Sequence, residues 1–316
     1  MAKPALCSES EFVEMFESLG PSEMARALGC NYRSVMGRRS NLQRKLKRAI
    51  HAPPHRTPHN DYEEHPHRIH LTVKDGVVIA GSDAHYWPGI VSTAHKAFVK
   101  FCRDLSPVAV IKNGDELDGS TISKHQPIGW EHRPALIDEM ETCKERLFEI
   151  TQAATRAKRI WCLGNHDSRF ETRLAHIAPE YAHVHGVHLK DHFPDWEPCW
   201  SVWINNDVVV KHRFRGGIHA THNNVMWAGK TMITGHLHSQ QVRPFSDYNG
   251  TRWGVDLGTM ADPYGPQFVD YTEDNPKNWR SAFGVLTFHK GRLLMPELCL
   301  VFDKNHIQFR GQVIEV

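Results

Sequence analysis

Spacing of apolar positions divides the chain into a short helical front and a longer body in which apolar runs alternate with amphipathic stretches. Over residues 9–19, Phe12, Val13, Met15, Phe16 and Leu19 recur at helical spacing, and Gly20-Pro21 ends the run. Ser22 opens a second short helix with Met24, Ala25, Ala27 and Leu28. Gly29-Cys30-Asn31 then turns the chain into a third helix, expected from Tyr32 to Lys47. Four prolines between His51 and Arg68 block regular structure, so residues 51–70 read as a Pro/His-rich linker, with histidines at 51, 55, 59, 65, 67 and 70. Beyond it the pattern predicts a strand at Gly76–Ser82, a helix at Ile90–Leu105, a strand at Val108–Ile111, a long amphipathic helix over 134–156 and a strand at Arg159–Leu163. Such alternation is the mark of an α/β domain. Further strands are expected at Trp200–Ile204, Val208–Lys211 and Thr231–Thr234, and residues 240–260 and 281–315 read as a closing run of antiparallel strands. There is no internal repeat.

Composition narrows the class. The chain has 316 residues, 40% apolar and 23% charged, and no apolar run approaches the roughly 20 residues that cross a bilayer. Met1 to Leu6 lacks the apolar core of a secretory signal, so the protein is expected to stay in the cytoplasm of the cell that makes it, without membrane association. Seven scattered cysteines never form Cys-x-x-Cys, which argues against a disulfide framework and a thiolate zinc site. The 23 histidines point to imidazole chemistry instead. Net charge is only +2, yet residues 31–50 hold seven Arg/Lys and no acid, which suggests an anionic partner such as nucleic acid.

The strands of the body share one feature: each runs into polar residues. Asp83 and His85 follow the first, Gly114-Asp115-Glu116-Leu117-Asp118 the second, Gly164-Asn165-His166-Asp167 the third, His212 ends the fourth and Gly235-His236-Leu237-His238 follows the fifth. Capping and turn formation account for one or two such residues. They do not account for a set in which every strand of the core delivers an oxygen or imidazole donor. On an extended segment Asp83 and His85 point the same way and can share one metal; His236 and His238 have the same spacing and could feed two adjacent ions.

Taken in order, Asp-x-His (83–85), Gly-Asp-x-x-Asp (114–118), Gly-Asn-His-Asp (164–167), a strand-ending His (212) and Gly-His-x-His (235–238) resemble the sequence blocks of the calcineurin-like metallophosphoesterases. The resemblance spans residues 77 to about 260. It implies a four-layer αββα sandwich over residues 71–316, with two divalent transition-metal ions at the strand ends, manganese first among iron, zinc or nickel. Asp83, His85 and His238 would hold one ion, Asn165, His212 and His236 the other, and Asp115 would bridge them. In that family hydroxide activated by metal attacks a phosphoester in line. His166 would face the phosphate as the catalytic residue, Asp167 would orient its ring, and Asp118 would support a ligand from behind. His212 is followed here by Arg213, and His219 and His222 lie near enough to be alternatives lining the cleft.

Substrate contacts are expected from Arg169 and from His125, Arg133 or Trp130 in the loop 120–133. Residues 21–35 resemble the helix-turn-helix units of DNA-binding regulators, which makes residues 1–50 a small all-α domain in which Asn31, Arg33 and Ser34 would meet bases and Arg38 and Arg39 phosphates. A front of this kind joined to such a body resembles phosphoesterases that bacteriophages encode. The expected activity is hydrolysis of phosphodiester bonds in nucleic acid or nucleotides. A phosphomonoesterase, including a protein phosphatase, and a catalytically silent DNA-binding regulator are the alternatives.

Overall fold

The computed structural model describes residues 6–53 and 63–316, and the chain divides into two units, residues 1–64 and 65–316. His55 and His59 of the expected linker lie outside the described residues.

In the first unit, α1 (Glu9–Ala27) begins at a capping box in which the Ser8 hydroxyl accepts from the Glu11 amide and the Glu11 carboxylate accepts from the Ser8 amide. Gly20 interrupts it with φ 76° and ψ 172°, a backbone state open to glycine, so two helical segments meet at a corner ahead of Pro21. After the turn at Gly29, α2 (Tyr32–Leu46) starts from Asn31, whose side chain accepts from the Ser34 amide at 2.8 Å. The apolar positions spaced at helical intervals, Phe12, Phe16, Met24, Val35 and Leu42, bury a small core that Ile50 completes.

The second unit opens with strands β1 (Arg68–Leu71) and β2 (Gly76–Gly81), then α3 (Thr93–Leu105), β3 (Ala109–Lys112), α4 (Leu136–Ala153), β4 (Lys158–Cys162), and the helices α5 (Arg169–Ile177) and α6 (Leu189–His192). It continues with β5 (Glu197–Cys199), β6 (Ser201–Ile204), β7 (Val208–Val210), α7 (Ala220–Ala228), β8 (Thr231–Thr234), β9 (Gln241–Asp247) and β10 (Gly250–Asp256). Helix α8 (Val269–Thr272) precedes the closing strands β11 (Ala282–His289), β12 (Arg292–Leu293), β13 (Glu297–Val301), β14 (His306–Phe309) and β15 (Gln312–Glu315). The strands form a six-stranded sheet, β1-β6-β7-β8-β10-β9, and a larger one, β15-β14-β13-β11-β2-β3-β4-β5, with β12 beside β11. The linker expected over 51–70 therefore runs too far: residues 68–70 belong to β1, which pairs in parallel with β6 and buries Ile69. Proline density stops at Pro66, and the apolar-polar alternation that follows is long enough to add an edge strand.

Layering follows from the period-two pattern of buried strands. Val78, Ala80, Ala109, Ile111, Ile160 and Cys162 point to the core between the two sheets, where they meet Val202, Val210, Ile233 and Val255. The alternate residues Ile79, Val110 and Trp161 point outward to α3 and α4, against Phe98, Cys143 and Leu147. On the far side α7 covers β8, β9 and β10. Helix, sheet, sheet and helix thus make four layers. Strands β2, β3 and β4 are mutually parallel, as are β7 and β8, so their carboxyl ends gather the loops that carry the polar residues.

Candidate metal centre

Three loops from the large sheet and two from the small one converge at this edge. Asp83, His85 and His238 form one group of possible ligand atoms, all within 4.8 Å of one another, His85, Asp118 and His166 form a second, and Asp115, His212 and His236 a third. The backbone that gathers them does not agree with the expectation of extended segments: Asp83 (φ 56°), His85 (φ 39°), Asp115 (φ 56°), His236 (φ 73°) and His238 (φ 55°) are all left-handed. Non-glycine residues avoid this region, so tertiary packing holds these residues in place at a cost of roughly 1–3 kcal/mol each. Tight turns, rather than strand pleat, aim the donors.

Glycines make the convergence possible. A Cβ on Gly164 would lie 2.0 Å from Asp115 Oδ1, and one on Gly235 would lie 1.8 Å from the Ser82 hydroxyl and 2.4 Å from Asp83 Oδ2. The loops of different strands can approach only where the side chain is absent.

Two of the imidazoles are held from behind through Nδ1. His85 Nδ1 donates to Asp118 Oδ1 at 3.0 Å and His212 Nδ1 to the Asn113 carbonyl at 2.8 Å. His85 Nε2 is buried without a hydrogen-bond partner, as is Asn165 Oδ1, while His212 Nε2 faces Asp115 Oδ2 at 3.1 Å. Buried polar atoms are almost always satisfied. Two such atoms, one of them in a group with the Asp83 carboxylate, fit a cation, and imidazole, amide and carboxylate donors suit a divalent transition metal. Asp118 thus takes the supporting position expected of it.

Electrostatics agree. Burial opposes ionisation of Asp83, but the imidazoles of His238 and His212 outweigh it and hold the carboxyl down at about 2. Burial would likewise discharge His212, yet Asp115 and Asp83 raise it to about 10. Packed carboxylates require compensating positive charge, which the imidazoles supply in the polypeptide alone and which cations would supply in their place.

His166 stands at the rim of this cluster. Its Nδ1 donates to the Asp118 carbonyl at 2.8 Å, and Arg169 donates to its Nε2 at 3.1 Å. The role expected for Asp167 needs correction. Its carboxylate does not touch the His166 ring; it accepts from the amides of Asp115, Glu116, Leu117 and Gly164 and from Trp161 Nε1, at 2.8 to 3.1 Å. The side chain turns inward and ties the β3 loop to the β4 loop, while Asp118, from another strand, orients the imidazole. Nothing local in Gly-Asn-His-Asp distinguishes the two, because the deciding donors come from residues about fifty positions away.

Above the donors lies a cavity of about 610 Å³. His85, Asp115, Asn165, His166, His236 and His238 line it, together with Arg169, His125 and Arg133. Arg133, however, is paired with Glu131 and donates to the Ser120 carbonyl at 3.0 Å, so its charge is already compensated. His219 and His222 do not line it: His219 precedes α7 and the His222 ring packs on Phe245. Trp130 is fully exposed and lies outside the lining. The opposite wall went unforeseen. Phe268, Tyr271 and Trp279 stack over the cluster, with the Trp279 ring 4.6 Å from that of His238. They lie some thirty residues beyond the last motif, and only a density of aromatic residues between Tyr264 and Trp279 hints at them.

In the front unit, the side chains expected to meet nucleic acid are partly engaged. Arg38 donates to the Cys7 carbonyl at 2.6 Å and sits 4.8 Å over the Phe12 ring; Arg39 donates to the Ile50 carbonyl at 2.9 Å. Asn31 and Ser34 bond each other at the helix start, while Arg33 is exposed.

No protein-family model matches the chain. Two curated proteins do, each called Gene 54 protein. That of Mycobacterium phage L5 is 26% identical over 247 residues and that of Mycobacterium phage D29 27% identical over 247, in both cases over 70% of this chain and 92% of theirs. Among solved structures, Vps29 complexed with zinc from Entamoeba histolytica is similar with a TM-score of 0.40 at 14% identity, over 76% of this chain and 98% of that one. YfcE, a phosphoesterase from E. coli, gives 0.35 at 13%, over 76% and 99%, and a protein serine/threonine phosphatase from Saccharomyces cerevisiae 0.35 at 14%, over 79% and 84%. No helix among the described residues is long and apolar enough to cross a membrane.

Proposed function

We propose that the chain is a metal-dependent phosphoesterase of the calcineurin-like type that hydrolyses phosphodiester bonds in nucleic acid or nucleotides. The observation that carries this reading is the donor set on five strand ends, with buried unpartnered atoms on His85 and Asn165, beneath an open cavity. Asp83, His85 and His238 would hold one divalent ion and Asn165, His212 and His236 a second, with Asp115 between them. Bound there, the ions would supply positive charge to phosphoryl oxygens and acidity to water. The chain's own residues do the rest. His166 presents Nε2 to the cavity while Asp118 fixes its other nitrogen, which places a proton donor beside a leaving oxygen. Burial depresses the His166 pKa, but Asp115 and Asp118 outweigh it and raise it, so a phosphate that draws Arg169 away from Nε2 would let the ring carry the proton it donates. Arg169 reaches the same edge and can meet a phosphate oxygen.

The nucleic-acid part of the reading is supported by the basic stretch 31–50 and its likeness to a helix-turn-helix. Parallel assays of bis-p-nitrophenyl phosphate and p-nitrophenyl phosphate with manganese, zinc, nickel or iron(II) test it. Diester hydrolysis that depends on added metal is expected. Turnover of the monoester alone would mark a phosphatase, and hydrolysis of neither would mark a binding protein.

A further inference from the structure

A second cavity of about 470 Å³ opens beside the first and shares His125, Asn165 and Arg169 with it. Its chemistry is different. The central cavity includes four carboxylates, those of Asp115, Asp118, Glu131 and Asp270, whereas the side groove includes none and is lined instead by Lys124, Arg169, Arg173, His176 and Arg213. Three elements deliver these residues independently. Arg169, Arg173 and His176 are spaced i, i+4 and i+7 on one face of α5, Lys124 comes from the loop after β3, and Arg213 follows the proposed ligand His212. Lys124, Arg173 and Arg213 form no ion pair among the described residues. Uncompensated like charges gathered in a concavity repel one another, so an anion there relieves a cost the fold otherwise bears.

We propose that this groove binds the phosphate next to the scissile one, so that the substrate is a polynucleotide strand rather than an isolated phosphoester. The inference rests on the phosphoesterase reading above. The aromatic wall of Phe268, Tyr271 and Trp279 lies across the central cavity and supplies faces on which a base can stack. A nucleotide chain presents rings and phosphates in turn. An aromatic wall, a phosphoester centre and a cationic groove lie in contiguous cavities and match that succession. A peptide phosphorylated on serine or threonine has no ring on the residue that bears its phosphate.

The test compares cleavage by the full chain of a thymidine dinucleotide with one phosphate and a trinucleotide with two. Wild-type kcat/KM should favour the trinucleotide by about tenfold, and the double variant Arg173→Glu/Arg213→Glu should bring that ratio near one. Arg173→Gln/Arg213→Gln, which removes charge without reversing it, should fall between, and matching thermal melts would show that all three are folded. A wild-type ratio near one, or a ratio unchanged in the variants, overturns the groove while leaving the phosphoesterase intact. A doubly phosphorylated peptide that inhibits trinucleotide cleavage as well as a second trinucleotide does would overturn the polynucleotide assignment. If no diester is cleaved with any metal, the phosphoesterase reading fails by itself. Fluorescence anisotropy of a labelled trinucleotide then judges the groove: binding about tenfold weaker in the charge-reversal variant upholds it, and equal affinity overturns it.

Discussion

Two polar regions of this protein have opposite accounts with their surroundings. At the strand ends, His85 Nε2 and Asn165 Oδ1 are buried and unpartnered. In α2, by contrast, Arg38 and Arg39, half-buried, are bonded to carbonyls of their own unit and rest on Phe12 and Phe16. The first arrangement leaves polar atoms over; the second is satisfied by the fold. A count of charges treats the regions alike, and in α2 it overstates how many cations are available to a partner. The cost of leaving a polar atom buried and unpaired, ~1–3 kcal/mol, makes the strand ends the more informative of the two.

The contrast can be broken most sharply at Asp115, which contacts His212 Nε2 at 3.1 Å and accepts from the His166 amide at 2.8 Å. Asp115→Ala should reduce metal-dependent turnover to background and lose metal in calorimetric titration; full metal binding by this variant would remove Asp115 from the centre. Next in size, His166→Ala should keep its metal while kcat falls by ~10²–10⁴-fold, as for loss of an acid-base group. Metal loss there would show a ligand instead. Asp167→Asn sharpens the distinction between the neighbours: with five N–H donors on its carboxylate, its removal should lower stability by about 3 kcal/mol in urea denaturation. If the pH profile of kcat shifts and stability does not, Asp167 acts on the chemistry after all. The smallest effects are expected in α2. Arg38→Ala should cost about 1 kcal/mol of stability through its lost carbonyl bond. Arg33→Ala should leave stability alone and reduce the salt slope of DNA binding by about one. The reverse pattern would mean that Arg38 is released to meet phosphates.

Most of the α/β body was legible because buried parallel strands are near-continuous apolar runs, and those at Gly76–Gly81, Ala109–Lys112 and Lys158–Cys162 are bounded by Gly, Asn and Asp. Strand β1 was not, because four residues beside a proline-rich stretch carry too little period-two signal. Within the site, residues that act through their own chemistry stood out. Residues that act by contact, such as Asp167 and Trp279, did not.

What the sequence alone determined is the inventory and its order: which strands end in donors, which donor types they offer, and where the basic residues gather. Spacing along the chain was sufficient there because a strand delivers its next residue to its own end. Only the tertiary structure decided how the donors group, the exchange of Asp118 for Asp167 behind His166, and the meeting of Lys124, Arg173 and Arg213 in one groove. Those outcomes depend on left-handed turns and on contacts between loops 33 to 155 residues apart, and such approaches are set by how the two sheets pack and leave no period in the chain.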